Sequence, residues 1–119
     1  MYSSQLLEHF EHPRNAGVVD APDASVRMEN PACGDVLQLT VKADEGRIEE
    51  IRFRAKGCVA SMACASALTE LALGKPLAEV RKLTRDELVR AVGGLPAASE
   101  HASHLAMDAL RAVLDKLRK

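Results

Sequence analysis

Leu37, Leu39 and Val41 alternate with Gln38, Thr40 and Lys42, and after Asp44-Glu45-Gly46 the same two-residue period returns in Ile51, Phe53 and Ala55 against Arg52, Arg54 and Lys56. Successive strand side chains point to opposite faces, so the pattern predicts an antiparallel hairpin with one apolar and one charged face. Residues 25–30 read as a further strand at the sheet edge. Beyond Gly57 the period changes: Ala60, Ala63, Ala67, Leu68 and Leu71 predict a helix stopped by Gly74 and Pro76, lying over the apolar face. A short helix through Leu6, Leu7 and Phe10 is expected before Pro13, followed by a loop through Pro22 and Asp23. Residues 77–83 read as a short turn or helix. Thr84-Arg85-Asp86-Glu87 has capping-box spacing for a helix through Leu88, Val89 and Val92, which Gly93-Gly94-Leu95-Pro96 ends. Ala106, Leu110, Val113, Leu114 and Leu117 then mark the apolar stripe of a last helix over 99–117. The expected fold is α+β: a small antiparallel three-stranded sheet with helices packed on one face, a single domain over 1–119.

Composition narrows the function classes. Hydrophobic residues make up 47% of the 119 positions and charged residues 28%, the balance of a folded globular chain. A net charge of -1, with no long basic block, argues against nucleic acid as a partner. Tyr2, Phe10 and Phe53 are the aromatic residues, so the core must be built from aliphatic side chains and alanine. The opening Met1-Tyr2-Ser3-Ser4-Gln5 lacks signal-peptide character, and no run approaches the roughly 20 apolar residues of a membrane span. A cytoplasmic protein is expected. In a reducing compartment, an odd count of three cysteines favours metal or thiol chemistry over disulfides.

Candidate chemistry lies in three places. Pro31-Ala32-Cys33-Gly34-Asp35 falls between two expected strands, where glycine permits a sharp turn that presents a thiolate and a carboxylate to one point. That pair suits a metal ion; equally, Asp35 can be a turn residue and Cys33 a buried loop cysteine. Cys58 lies where strand gives way to helix, and unpaired N–H groups there favour the thiolate. Cys64 projects about 120° away from Cys58 on the helix and reads as a small core residue. His101 and His104 are spaced to share a metal or to sit on the surface. His9 and His12 stand outside the site.

In order along the chain, these segments resemble the IscU/NifU N-terminal family of iron–sulfur cluster assembly scaffolds. The similarity spans nearly the whole length. Tyr2-Ser3 with Glu11-His12-Pro13-Arg14-Asn15-Ala16-Gly17 is similar to the family's opening, and Pro31-Ala32-Cys33-Gly34-Asp35 to its first ligand loop. Gly57-Cys58 with Ala60-Ser61, Ala65-Ser66-Ala67 and Thr69-Glu70 is similar to the second, and Leu95-Pro96, His101, Ser103, Leu105-Ala106 and Asp108-Ala109 to the third. The resemblance implies a ligand set of Cys33, Asp35, Cys58 and His101. Ala102 stands at the position of the family's third cysteine, so any role of that thiol, such as accepting sulfur from a cysteine desulfurase, has no residue here. If the helix has begun by His101, position 102 projects about 100° from it and His104 about 60° to the other side, so His104 does not replace the lost thiol.

The resemblance further implies a scaffold or carrier rather than an enzyme, holding a labile [2Fe–2S] cluster or iron and working with a cysteine desulfurase and recipient iron–sulfur apoproteins. The same four donors also suit zinc. Alternatives are a zinc-binding, persulfide-accepting protein using Cys58, and a degenerate paralogue serving as an interaction module. Leu95-Pro96-Ala97-Ala98-Ser99 stands where members handed to a specialised Hsp70 carry Leu-Pro-Pro-Val-Lys, and that contact is not expected.

Overall fold

In the computed structural model, which describes residues 2–31 and 34–117, the two-residue period of the middle segment becomes a three-stranded antiparallel sheet in the order β1-β2-β3. The strands are β1 (Ala24–Asn30), β2 (Asp35–Asp44) and β3 (Arg47–Lys56). Register lines up the apolar positions in rows. Val26 faces Leu39, which faces Phe53, and the next row is Ala24, Val41 and Ile51. All six are buried, each large side chain worth about 1.5–3 kcal/mol of transfer free energy. Glu45 (φ 51°) and Gly46 (φ 76°) form the two-residue turn between β2 and β3, the backbone that matches the twist of the strands it joins.

The helices lie on the apolar face in two tiers. Helices α2 (Val59–Ala72) and α5 (Glu100–Leu117) rest on the sheet; α1 (Ser4–Glu11) packs on α2, and α4 (Arg85–Ala91) on both α2 and α5, while the short α3 (Leu77–Val80) follows α2 along the chain. Ten of the fourteen residues of α2 are buried, so it is the central element and not a one-sided cover. Its alanines are what let neighbouring elements approach from several sides. Ser3 caps α1 by accepting the Leu6 N–H at 3.0 Å, and Thr84 caps α4 by accepting the Glu87 N–H at 3.2 Å, as the capping-box spacing implied. A 3-10 turn (Ala97–Ser99) leads into α5, which begins at Glu100 and so includes His101 in its first turn.

The segment between α1 and β1 is more than a connecting loop. Residues 15–17 pair with the outer edge of β3, through the Phe53 N–H to Asn15 O at 3.0 Å and the Gly17 N–H to Phe53 O at 2.8 Å. The chain then crosses the polar face, where Thr40 Oγ1 accepts the Val19 N–H at 2.9 Å and both residues are buried. Thr40 carries the parity of a solvent-facing position. It is covered because its hydroxyl can satisfy an incoming backbone N–H, which the flanking charged side chains could not do while buried.

Between α1 and α2 lies His9, which the sequence placed outside any site. It is buried, with Nδ1 at 2.8 Å from Ser66 Oγ, and Ser66 Oγ also accepts the Arg14 N–H at 2.8 Å. Burial lowers the His9 pKa from its ordinary 6.5; nearby Arg14 lowers it further, while Glu70 and Glu8 oppose the shift without reversing it. The folded chain thus favours neutral His9, whereas the unfolded chain takes up a proton as pH falls through 6.5. In that window the unfolded state binds more protons, so the contribution is present above pH 6.5 and lost toward lower pH.

Strand β3 enters α2 through Gly57 at φ +146°, in the region that favours glycine. A methyl group there would overlap the Asp35 carboxylate, whose Cγ would lie 2.7 Å away and Cα 3.1 Å away. Gly57→Ala is expected to lower unfolding free energy by about 3 kcal/mol, from backbone strain together with forced displacement of Asp35, as read by urea denaturation. Unchanged stability would refute that steric account. For His9→Gln, the fall in urea midpoint of the wild type between pH 7 and pH 5 should become shallower; an identical slope would remove His9 as its source.

Candidate metal centre

Three of the residues singled out by sequence meet at one point. Asp35 opens β2, Cys58 is the N-cap of α2, and His101 lies in the first turn of α5. Asp35 Oδ2 is 3.1 Å from His101 Nε2 and 3.6 Å from Cys58 Sγ, and Cys58 Sγ is 3.7 Å from His101 Nε2. Among the described residues, these form the group of His, Cys, Asp or Glu donors close enough to share a metal ion. Cys33 and Ala32 lie outside the described residues, so the expected fourth donor has no position here. Its flanks do: the Gly34 N–H bonds Asn30 O at 2.8 Å, and Asn30 pairs with Asp35 across the hairpin.

Each donor is fixed by local structure. Asp35 is only 2% exposed, a costly place for a carboxylate unless its oxygens are bonded. Oδ1 accepts the Cys58 N–H at 3.1 Å, and Oδ2 accepts the Ser61 hydroxyl at 2.6 Å. Burial alone would raise the carboxyl pKa and is the largest single effect. The bonds from Ser61 and from the backbone and thiol of Cys58, with the charge of His101, outweigh it, and the carboxyl lies below its ordinary 3.8. Asp35 is therefore ionised at neutral pH. Cys58 Sγ accepts the Ser61 N–H at 3.4 Å, the bond that caps α2. His101 keeps about a quarter of its side chain exposed, so the point of convergence is open to solvent on that side.

The arrangement suits chelation and not a catalytic relay. Both close contacts of His101 use Nε2, whereas a Cys-His-Asp relay would need the thiol and the acid on different ring nitrogens. With metal bonds of about 2.0–2.1 Å to N or O and 2.3 Å to S, a tetrahedral centre has edges of about 3.3 Å (N to O) and about 3.6 Å (S to either). The observed 3.1, 3.6 and 3.7 Å fit one face of that tetrahedron.

The remaining candidates separate cleanly. Cys64 is fully buried, and burial, with a smaller effect of Cys58, pushes its thiol up to about 12, so it is a core residue as its helical position implied. His104 is exposed and outside the donor group. Ala102 is 1% exposed and packed in the core, consistent with its turn away from His101 once the helix has begun. Ser61 is the residue that sequence reasoning passed over. The signal was available: a residue three positions beyond an N-cap returns its N–H and side chain to the capping group.

Comparison with known proteins agrees with the fold and the segment order. The family model of the NifU-like N terminal domain matches residues 1–119. An Archaeoglobus fulgidus protein named iron–sulfur cluster assembly scaffold protein IscU 1 is 44% identical over 120 residues, covering 100% of this chain and 78% of the relative. The Escherichia coli scaffold protein IscU is 38% identical over 117 residues, covering 95% and 91%. Among solved structures, the N-terminal part of a nitrogen-fixing NifU-like protein from Brucella abortus superposes with a TM-score of 0.72 at 20% identity, covering 98% of this chain and 91% of that one. A Fervidobacterium islandicum protein described as an assembly scaffold for the SUF system superposes at 0.81 and 17% identity, covering 95% and 96%. At those identities the two structures speak for the fold, while the family model and the curated relatives establish kinship: the chain belongs to the family of NifU-like N-terminal domains.

Proposed function

We propose that this chain, acting as one domain over 1–119, is a cytoplasmic iron–sulfur cluster assembly scaffold or carrier and not an enzyme, and that it holds a labile [2Fe–2S] cluster as cargo through Cys33, Asp35, Cys58 and His101. The convergence of Asp35, Cys58 and His101 within bonding reach of one point carries the reading. Cys33 precedes Asp35 by two residues, so covalent geometry keeps its Cα within about 7 Å of the Asp35 Cα. Of the three cysteines Cys64 is buried in the core, which leaves Cys33 as the source of a second thiolate. Scaffold relatives in Archaeoglobus and Escherichia support the cargo class, and with it a cysteine desulfurase as sulfur source and iron–sulfur apoproteins as recipients.

Two thiolates, a carboxylate and an imidazole bind iron more weakly than four thiolates would. A carrier needs that weakness in order to release what it holds. Ala102 makes the set poorer in sulfur than the family pattern, so release should be easier still, and sulfur arriving at the site must be received by Cys58 or Cys33. No specialised Hsp70 contact is included, because residues 95–99 depart from the segment that such contacts use.

The compact triangle also favours a second reading, a single zinc ion, since its edges fit one tetrahedral centre. In that reading the Cys58 thiolate, beside the partly exposed His101, takes the outer sulfur of a donor persulfide, and the donor leaves as its thiolate.

Anaerobic reconstitution with ferrous iron and sulfide separates the readings. Visible absorption from a bound cluster, lost in Cys58→Ala and weakened at least about tenfold in retention by His101→Ala, is the expected result. A colourless chain with one equivalent of zinc would transfer the case to the second reading. A chain that takes neither, with folding unaltered by Cys33→Ala or Cys58→Ala, would leave only an interaction module.

A further inference from the structure

We propose that Ser61 is a positioning residue of the donor cluster, which sets how tightly the site retains a metal ion by holding Asp35 in its chelating orientation. The inference rests on the reading of Asp35, Cys58 and His101 as metal donors. Ser61 is 5% exposed, and its hydroxyl lies 2.6 Å from Asp35 Oδ2 and 3.3 Å from Cys58 Sγ. It therefore touches two of the three donors at once.

The partners of the Asp35 carboxylate divide by what a metal ion would do to them. Oδ1 is held by the Cys58 N–H at 3.1 Å, a backbone bond that metal binding does not disturb. Oδ2 meets Ser61 Oγ, His101 Nε2 and Cys58 Sγ at 2.6, 3.1 and 3.6 Å. The last two are themselves donors, and their lone pairs turn to the metal when it arrives. Ser61 then supplies the hydrogen bond that holds Oδ2 in both the empty and the loaded site. The single protons of the Ser61 hydroxyl and, before metal binds, of the Cys58 thiol both go to Asp35 Oδ2, so the carboxylate is the shared acceptor of the two side chains. After the thiol is deprotonated, the Ser61 backbone N–H, 3.4 Å from Sγ, remains as the donor to sulfur.

This assigns separate tasks to two groups of one residue. The N–H caps α2 and serves the thiolate, while the hydroxyl serves the carboxylate. Only the second task is lost on substitution by alanine. Hydrogen-bond partners of metal-ligating carboxylates typically contribute 10–100-fold to affinity, because they fix the orientation of an otherwise rotatable group.

The test is zinc affinity by competition with a chromophoric chelator, together with the visible spectrum of the cobalt(II) form. Ser61→Ala should bind zinc about 10–100-fold more weakly than wild type. In an Asp35→Ala background the same change should cost no more than about twofold, since the hydroxyl then has no carboxylate to hold. The isosteric pair Ser61→Thr and Ser61→Val removes shape and folding from the comparison: threonine should keep near wild-type affinity and the wild-type cobalt spectrum, and valine should reproduce the loss. Equal affinity of Ser61→Ala and wild type, equal affinity of the threonine and valine variants, or an undiminished effect without Asp35 would overturn the assignment. A wild-type chain that binds neither zinc nor cobalt(II) would instead overturn the donor reading, and this proposal with it.

Discussion

A carboxylate almost wholly removed from water must be matched by donors or it will not remain charged, and the burial of Asp35 imposes that condition on three separate elements. Strand β2 contributes the acid, the β3–α2 junction contributes a backbone N–H and a hydroxyl, and α5 contributes an imidazole. Gly57 lacks a side chain because the carboxylate occupies the space where one would be. Helix α5 lies across β1 and β2 with its first turn over the acid. The packing of the sheet against its helices and the assembly of the donor cluster are therefore one problem with one solution.

That solution leaves the donors at distances suited to a metal before any metal is present. Preorganisation of this kind lowers the reorganisation needed on binding, so a modest donor set can still bind a metal ion. On the proposed ligand set, two thiolates leave little excess affinity to resist transfer onward. Binding through geometry and releasing through weak ligand chemistry are compatible because they draw on different properties of the site.

Sequence carried the strands and the helices for a common reason: each is encoded within a few neighbouring residues. The alternation of Leu37, Leu39 and Val41, the cap at Thr84 and the core position of Cys64 depend on local period alone. What it did not carry depends on elements distant in the chain. Thr40 has the parity of a surface residue and is buried by Val19, twenty-one positions earlier. His9 has no acidic or thiol neighbour at a telling spacing, and its partner Ser66 lies fifty-seven positions away. Ser61 is intermediate, for its link to Cys58 is local but its stronger bond runs to Asp35 on another strand. Cys33, expected beside Asp35, falls outside the described residues.

Cys58 is at once a member of the donor cluster and the group that terminates α2, through the Ser61 N–H bonded to its sulfur. A thiolate sulfur has lone pairs enough for a metal and one amide hydrogen, but the uncharged sulfur of an alkylated cysteine is a poorer acceptor. Damage to the thiol would then unfasten the first turn of the helix that α1, α4, α5 and β3 all touch, at a cost of about 1 kcal/mol for the lost cap. The chemical health of one atom is thus written into the mechanical integrity of the helix at the middle of the molecule.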